Sequence, residues 1–439
     1  MANKKELIDA QSFARRRVVT AFTSGAAGSK EMEPIRPLRG VVAGVVLTVL
    51  VVVVGLVLGF VKKGLPDGWQ DNHLVIAQDT GARYVTVDGV LYPVLNTASA
   101  RLLLPAGQSA ATPVVTTSSQ LRGTPLGHPV GIVGAPDQLP EPGSLVNTGW
   151  AACLDDAGTP TVTVSARPPA RTSTAALVAR SSTGEVFVVA GAYRHLVDPD
   201  QPDAVLRALD LGGAPVRDVD DRWLNLFLPG SALAPVEVPE AGQPLAGTEL
   251  VVGWVVQQPD SAVRYLVTAD GELAEISPLA YQLYMIGTGR QLGEAHHVAA
   301  STLLPLPNAP GAAPADWPHE APAYLGGARA CALSGMADGQ ATTTFAATSE
   351  PVPTSAATVD PGSGALVAAG GRGSEPTRTV YLLDATGTAF PVATADGALD
   401  RLGYTAEDVG VQNTSWIGLL TTGPTLSVAA AGLPETAAP

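Results

Sequence analysis

Side chains able to do chemistry are sparse in this 439-residue chain, and none stands at a spacing that builds an active site. His296-His297 are adjacent. Neighbouring side chains on a regular element diverge, and no carboxylate or cysteine completes a metal-binding set beside them, so surface or partner-facing histidines are expected. Asp155-Asp156 and Asp218-Val219-Asp220-Asp221 could hold calcium weakly, but they lack the spacing of a calcium loop and read as solvated turns. Serine, histidine and aspartate all occur, without a Gly-x-Ser-x-Gly elbow. A P-loop needs a lysine that reaches the β- and γ-phosphates. No lysine follows Lys63, which removes that chemistry from the bulk of the chain. Ala369-Gly370-Gly371-Arg372-Gly373 offers one arginine to an anion, but among Pro, Ser and Gly it reads as a flexible connection. No catalytic residue, cofactor or metal is expected.

What positions these residues begins with Val41–Val61, VVAGVVLTVLVVVVGLVLGFV. It is apolar all round, unlike the one-sided stripe of a core helix, and as a helix it is long enough for a roughly 30 Å hydrocarbon layer. A cleaved signal peptide would have a shorter apolar run and a small-residue cleavage site. Lys62-Lys63 follow instead, so residues 41–61 are expected to be a retained transmembrane helix. Its lone hydroxyl, Thr48, can bond its own helix, and Gly40/Gly44 and Gly55/Gly59 form two weak Gly-x-x-x-Gly packing signals. Of 26 Lys+Arg, ten lie at or before Lys63 and 16 beyond it; of 40 Asp+Glu, four lie before it and 36 beyond. The membrane-proximal part is therefore +6 and the remainder −20. Positive charge marks the cytoplasmic side, so residues 1–40 are expected inside and the acidic bulk outside. That acidity argues against nucleic acid as a partner.

Within the tail, Lys4–Phe22 can form a helix with Leu7, Ala10, Ala14, Val18 and Phe22 on one face and Arg15 and Arg16 beside it. Two uses fit: adhesion to anionic lipid headgroups, or docking on a cytoplasmic or membrane partner through Phe13, Arg15, Arg16, Arg17 and Phe22. Gly25–Met32 reads as a link, with Pro34 and Pro37 stopping the helix before the span. The two cysteines, Cys153 and Cys331, fall on the oxidising side, where an even count favours one disulfide; two buried free thiols are the alternative.

Roughly 375 exported residues exceed one core. Aromatics at 5%, with abundant Gly and Pro, suit short strands and many turns. One pattern recurs four times: a β run, a turn closed by glycine, a second β run, then a short helix. The turn glycines are Gly81, Gly184, Gly271 and Gly387. The helical stretches are Thr97–Leu104, Ala204–Leu209, Pro278–Met285 and Gly397–Leu402, with Gly212, Gly287 and Gly403 ending the last three. The first copy carries a Ser/Thr/Pro-rich insert at Pro105–Ser119 before Leu126-Gly127. The expected modules are 74–146, 175–238, 262–310 and 376–431. Between them, 147–170, 248–258 and 323–348 are expected to pair as one central sheet, and 432–439 to be a disordered tail.

FARRRVVTAF (Phe13–Phe22), DTGARYVTVDGVLYPVLNTASARLL (Asp79–Leu103) and GHPVGIVGAPDQLP (Gly127–Pro140) resemble EccB, the membrane component of actinobacterial type VII (ESX) secretion systems, in its streptomycete-type form. Cys153 and Cys331 match that family's paired cysteines. The resemblance covers nearly the whole chain. It implies an α+β, β-rich protein: one N-terminal transmembrane helix and an elongated, quasi-symmetric ectodomain of four hairpin-helix modules around a central disulfide-linked β domain. It also implies a core subunit of an export complex, assembled with EccC, EccD and, in mycobacteria, EccE, and self-associating outside the membrane. Two other functions stand beside this scaffold role. One is an extracytoplasmic ATP hydrolase, a label some family members carry; the other is a cell-wall-binding anchor, which the thin aromatic content weakens.

Overall fold

The computed structural model describes residues 3–24, 37–60, 65–107, 113–370 and 379–434. The chain forms two compact units, Met1–Gly64 and Leu65–Pro439.

The first unit holds α1 (Lys4–Ser24) and α2 (Pro37–Phe60). Pro37 opens α2 instead of ending the approach to it: at the first helical position the missing N–H is one that would have no partner anyway. Side chains of α2 are described from Gly40 to Val54 and are exposed, and Thr48 Oγ1 donates to Gly44 O at 2.8 Å. Among the described residues no helix is long and apolar enough to cross a membrane. The expected span, with Gly55 and Gly59, runs beyond those described side chains, as do the link at Gly25–Met32 and most of the Gly-Gly-Arg-Gly loop, residues 371–373.

The second unit is mixed α+β and rich in β structure, and its described residues form five sheets. The first has strands in the order Val90–Pro93, Ala82–Val87, His73–Ala77, Val114–Thr116. The last of these pairs parallel to Val75–Ala77 from inside the stretch read as an insert, of which residues 108–112 lie outside the described ones. Helix α3 (Thr97–Leu103) follows the three antiparallel strands, its Asn96 cap accepting from Ser99 N. The second sheet runs Arg217–Asp218, Leu177–Arg180, Val186–Ala190, Tyr193–Val197, Leu228–Leu233, with α4 (Pro202–Ala208) and α5 (Asp221–Leu224) in its connections. The third runs His296–His297, Val255–Gln257, Arg264–Val267, Leu273–Ile276, Asn308–Ala309, with α6 (Pro278–Ile286), α7 (Gly289–Leu292) and α8 (Ala300–Leu303). The fourth runs Gly410–Asn413, Ala365–Gly370, Thr379–Leu383, Thr388–Val392, Thr421–Thr422, with α9 (Ala398–Leu402), α10 (Thr414–Ile417) and α11 (Val428–Ala431). The second to fourth sheets each set short parallel strands on both edges of a three-stranded antiparallel meander.

The fifth sheet orders Ala357–Val359, Pro160–Val164, Ala151–Leu154, Arg329–Ala337, Gln340–Thr348, Arg171–Thr172. Its side chains alternate faces, as strand geometry dictates. Trp150, Ala152, Leu154, Val162, Val164, Ala330, Ala332 and Phe345 join one core. Ala151, Cys153, Cys331 and Ala346 join another.

Several expectations need correction. ELVVGWVVQ does not enter the central sheet: Gly253 turns at φ +87°, and Val255–Gln257 pairs with the nearby Arg264–Val267. That local hairpin closes a far shorter loop than a central pairing would. Central strand Ala357–Val359 lies past residue 348, and the fourth meander starts at Ala365, before residue 376. The four turn glycines all take positive φ (73°, 88°, 76° and 81°), but not at one structural position. Gly81 and Gly184 join first and second meander strands, so a third strand precedes the helix; Gly271 and Gly387 join second and third. Gly212 does not end α4, whose cap is Leu209 with Asp210 left-handed just beyond. In the tail, Leu433 O accepts from Gly131 N and Pro434 bridges Val130; residues 435–439 lie outside the described ones.

Candidate functional site

The residues with a defined joint task lie at the central sheet. Cys153 and Cys331 face each other across the antiparallel pair, with Cα atoms 4.0 Å apart, and are joined as a disulfide. Relative exposures of 4% and 0% keep reductants out while the sheet is closed. The loop they close contains the second and third sheets whole, so one bond holds both ends of that block.

On the opposite face three tryptophans, all fully buried, tie neighbouring sheets to the central one. Asp220 and Asn413 cap α5 and α10, accepting from Arg222 N and Ser415 N, and each places a tryptophan in the first turn of its helix. Trp223 Nε1 donates to Ala152 O at 2.8 Å and Trp416 Nε1 to Thr343 Oγ1 at 3.0 Å. Trp150 donates to Val146 O and meets Trp416 edge-on, centroids 6.3 Å apart. Buried indole N–H groups must find acceptors, so each tryptophan fixes orientation as well as filling space. The glycine hairpin after Leu154 adds a backbone contact: Asp220 N donates to Gly158 O at 3.1 Å.

The first and fourth sheets meet by reciprocal capping. Arg101 of α3 donates to Leu402 O at 2.8 Å, at the end of α9. Arg401 of α9 donates to Leu104 O at 2.6 Å and Leu102 O at 3.2 Å, at the end of α3. Cations at helix C-termini answer both orphaned carbonyls and the macrodipole. Tyr404 OH donates to Pro140 O at 2.7 Å, and burial pushes that phenol well above its ordinary range. The second and third sheets share a core in which Val205, Leu206 and Leu209 meet Leu279 and Leu283 of α6.

Most of the described polar groups that the sequence flagged make local structural contacts. His296 stacks on Trp254 with centroids 4.0 Å apart, while His297 is exposed. Asp155 closes its turn by accepting from Ala157 N and Thr159 N, and Asp156 pairs with Arg329. Asp218 pairs with Arg180; Asp220 pairs with Arg222, whose hydrogen bond lowers its carboxyl; Asp221 accepts from Ser182. Among the described residues no group of three or more His, Cys, Asp or Glu could hold a metal ion. Among the described residues a Ser/His/Asp grouping occurs that sequence reading missed, in which the serine hydroxyl is not bonded to the histidine. Ser231 Oγ donates to Asp316, while His195 Nδ1 meets Ser231 O at 2.9 Å, not the hydroxyl. His195 is fully buried, Nε2 has no partner, and burial pushes its imidazole below the ordinary value.

The tryptophan wedges were also missed, although the cap-x-x-Trp spacing at Asp220/Trp223 and Asn413/Trp416 is visible in the sequence. The arginine clasp had no local signal, since its partners are about 300 residues apart. In the first unit, Phe13 and Phe22 are exposed on α1, as are Arg15, Arg16 and Arg17.

The fold is that of solved type VII secretion proteins. A chain of "Structure of an intact ESX-5 inner membrane complex, Composite C3 model" matches with TM-score 0.68 at 24% identity, over 100% of this chain and 96% of that one. A chain of "Structure of EccB3 dimer from the ESX-3 core complex" matches with TM-score 0.67 at 22% identity, over 82% and 100%. Among relatives from Mycobacterium tuberculosis, "ESX-5 secretion system ATPase EccB5" is 31% identical over 67% of this chain and 61% of its own length. "ESX-2 secretion system ATPase EccB2" is 31% identical over 40% of this chain and 37% of its own length. The matches to both therefore span less than two thirds of those relatives. The family described as "Type VII secretion system ESX-1, transport TM domain B" matches residues 2–439, and the chain belongs to this EccB family.

Proposed function

We propose that the protein is a non-catalytic structural core subunit of a type VII secretion membrane complex. The observation that carries this is the family match over residues 2–439, with the disulfide and the buried tryptophans tying neighbouring sheets together beside it. In this reading the stretch 41–61, which begins within α2, crosses the cytoplasmic membrane once, with residues 1–40 in the cytoplasm and the acidic second unit outside. The +6 and −20 charges on the two sides of the span support that orientation. The four small sheets serve as repeat modules around the central one, with module 3 extended back to Val255 and module 4 back to Ala365. Self-association occurs through this outer part. Phe13, Arg15, Arg16, Arg17 and Phe22 serve docking of an EccC-like ATPase and an EccD-like membrane subunit, with an EccE-like subunit where one is present.

Mild-detergent extraction of the native complex, followed by mass analysis of its composition, tests the assignment. The expected result is copurification with EccC-like and EccD-like subunits in fixed ratio. A freely diffusing monomer in native membranes would overturn it. ATP hydrolysis is a second reading because relatives bear ATPase in their names. Turnover by the purified outer part that is abolished by Arg372→Ala would favour it. The lysine-free sequence after Lys63 favours the scaffold.

A further inference from the structure

Helix α1 has two unlike sides. At 3.6 residues per turn, Leu7, Ala14, Val18 and Phe22 share one side with Lys4 and Gln11 among them and Ile8 at its edge, and Phe13 stands on the opposite side with Glu6, Asp9, Arg16 and Arg17. The apolar side is open: Leu7 is 62% exposed, Val18 60% and Phe22 90%. Five cations (Lys4, Lys5, Arg15, Arg16, Arg17) outnumber two acids (Glu6, Asp9) on the same helix. Arg15 lies between Ile8 and Phe22, where its stem can rest in an apolar layer while the guanidinium reaches a phosphate. Only residues 25–36 separate α1 from α2. Twelve residues span at most about 40 Å, so α1 stays close to any surface that α2 enters, and weak adhesion suffices at such effective concentration.

We infer that α1 lies in the headgroup layer of an anionic phospholipid membrane, with Leu7, Val18 and Phe22 toward the acyl chains and Phe13 turned away. This rests on the reading of α2 as a membrane span. Charge complementarity and the short tether select anionic lipid as the occupant. The opposite side then presents Phe13, Arg16 and Arg17 to a protein partner; of the docking set named above, Arg15 and Phe22 go to the lipid instead.

The test uses the full chain with its disulfide intact; neither native cysteine is free. Val18→Cys or Phe13→Cys therefore introduces a single reactive thiol for an environment-sensitive fluorophore. In phosphatidylcholine/phosphatidylglycerol vesicles the Val18→Cys label is expected to be quenched by shallow spin-labelled lipid. Its quenching by aqueous iodide should be at least five-fold weaker than at Phe13→Cys. Replacing Arg15, Arg16 and Arg17 by Gln, or using phosphatidylcholine alone, should remove most of that shielding, since each cation near an anionic surface counts for roughly five-fold in binding. Equal iodide access at both sites, in vesicles that retain the chain through a carbonate wash, would overturn the inference. Shielding of Val18→Cys only after EccC-like and EccD-like subunits are added would overturn it in favour of a protein groove. Loss of the chain in carbonate would refute the span itself, a failure distinct from α1 remaining in water.

Discussion

Replacing Cys153 and Cys331 together by alanine probes how much of the second unit's stability comes from closing its long loop. The bridged residues are 178 apart in sequence. In the chain-entropy treatment a crosslink of that span removes about 5 kcal/mol of unfolded-state freedom. Denatured chains retain structure and the two strands pair in any case, so a loss of about 3–5 kcal/mol is expected. That is a large share of the roughly 5–15 kcal/mol typical of folded domains. Alanine leaves no buried polar group on a face made of Ala151, Ala170 and Ala346. Urea unfolding of the full-length protein in detergent, followed by tryptophan fluorescence, reads this directly, because Trp150, Trp223 and Trp416 are all buried. The variant's midpoint should fall and its urea slope rise, the uncrosslinked unfolded chain being more expanded. Native-state reduction should proceed only at the rate of sheet opening, given the burial of both sulfurs. A loss below about 1 kcal/mol, or rapid reduction without unfolding, would show that strand pairing holds the block and the bond is incidental.

Trp416→Ala removes a fully buried indole and its bond to Thr343, and should cost about 3–5 kcal/mol in the same urea assay. Gly158 takes φ +80°, and a Cβ there would stand 2.0 Å from Asp218 O, so Gly158→Ala should cost more than 2 kcal/mol. Gly184→Ala, at φ +88° with nothing within 4 Å, should cost only about 1 kcal/mol. Burial pushes the His195 imidazole below its ordinary value of 6.5, so the unfolded chain binds more protons between the two values. Stability is then full above pH 6.5 and falls as pH drops below it. His195→Asn, which keeps a donor near Ser231 O, should flatten that slope when unfolding is measured from pH 5 to 8.

Local chemistry was legible and long-range partnership was not. Glycine turns and the cysteine pair are encoded within a few residues, which is why Gly81, Gly184, Gly271 and Gly387 could be read as hairpins. The alignment of those hairpins slipped by one strand because Gly89 and Gly191 also close turns, and nothing local says which of two glycines is equivalent to Gly271. ELVVGWVVQ was misassigned for a related reason: a continuous apolar run reads as a central strand, whereas one left-handed glycine cut it to three residues. Val114–Thr116 was hidden by its Ser/Thr/Pro-rich surroundings, since its strand state comes from pairing with Val75–Ala77. Arg101 and Arg401 look like ordinary helix-end cations until the fold brings the two helix ends together.

The claim on which the account most depends is that α2 crosses the membrane once, with the acidic sheets outside. Intact protoplasts carrying the full chain with an epitope after Pro439 and a second one before Lys4 test it in one blot. External protease should remove the C-terminal epitope and leave a protected N-terminal fragment of about 7 kDa, the mass expected for some 60 residues. Protection of the C-terminal epitope in intact protoplasts, or loss of the N-terminal one, would contradict the topology, and with it the assignment of the disulfide to an oxidising compartment.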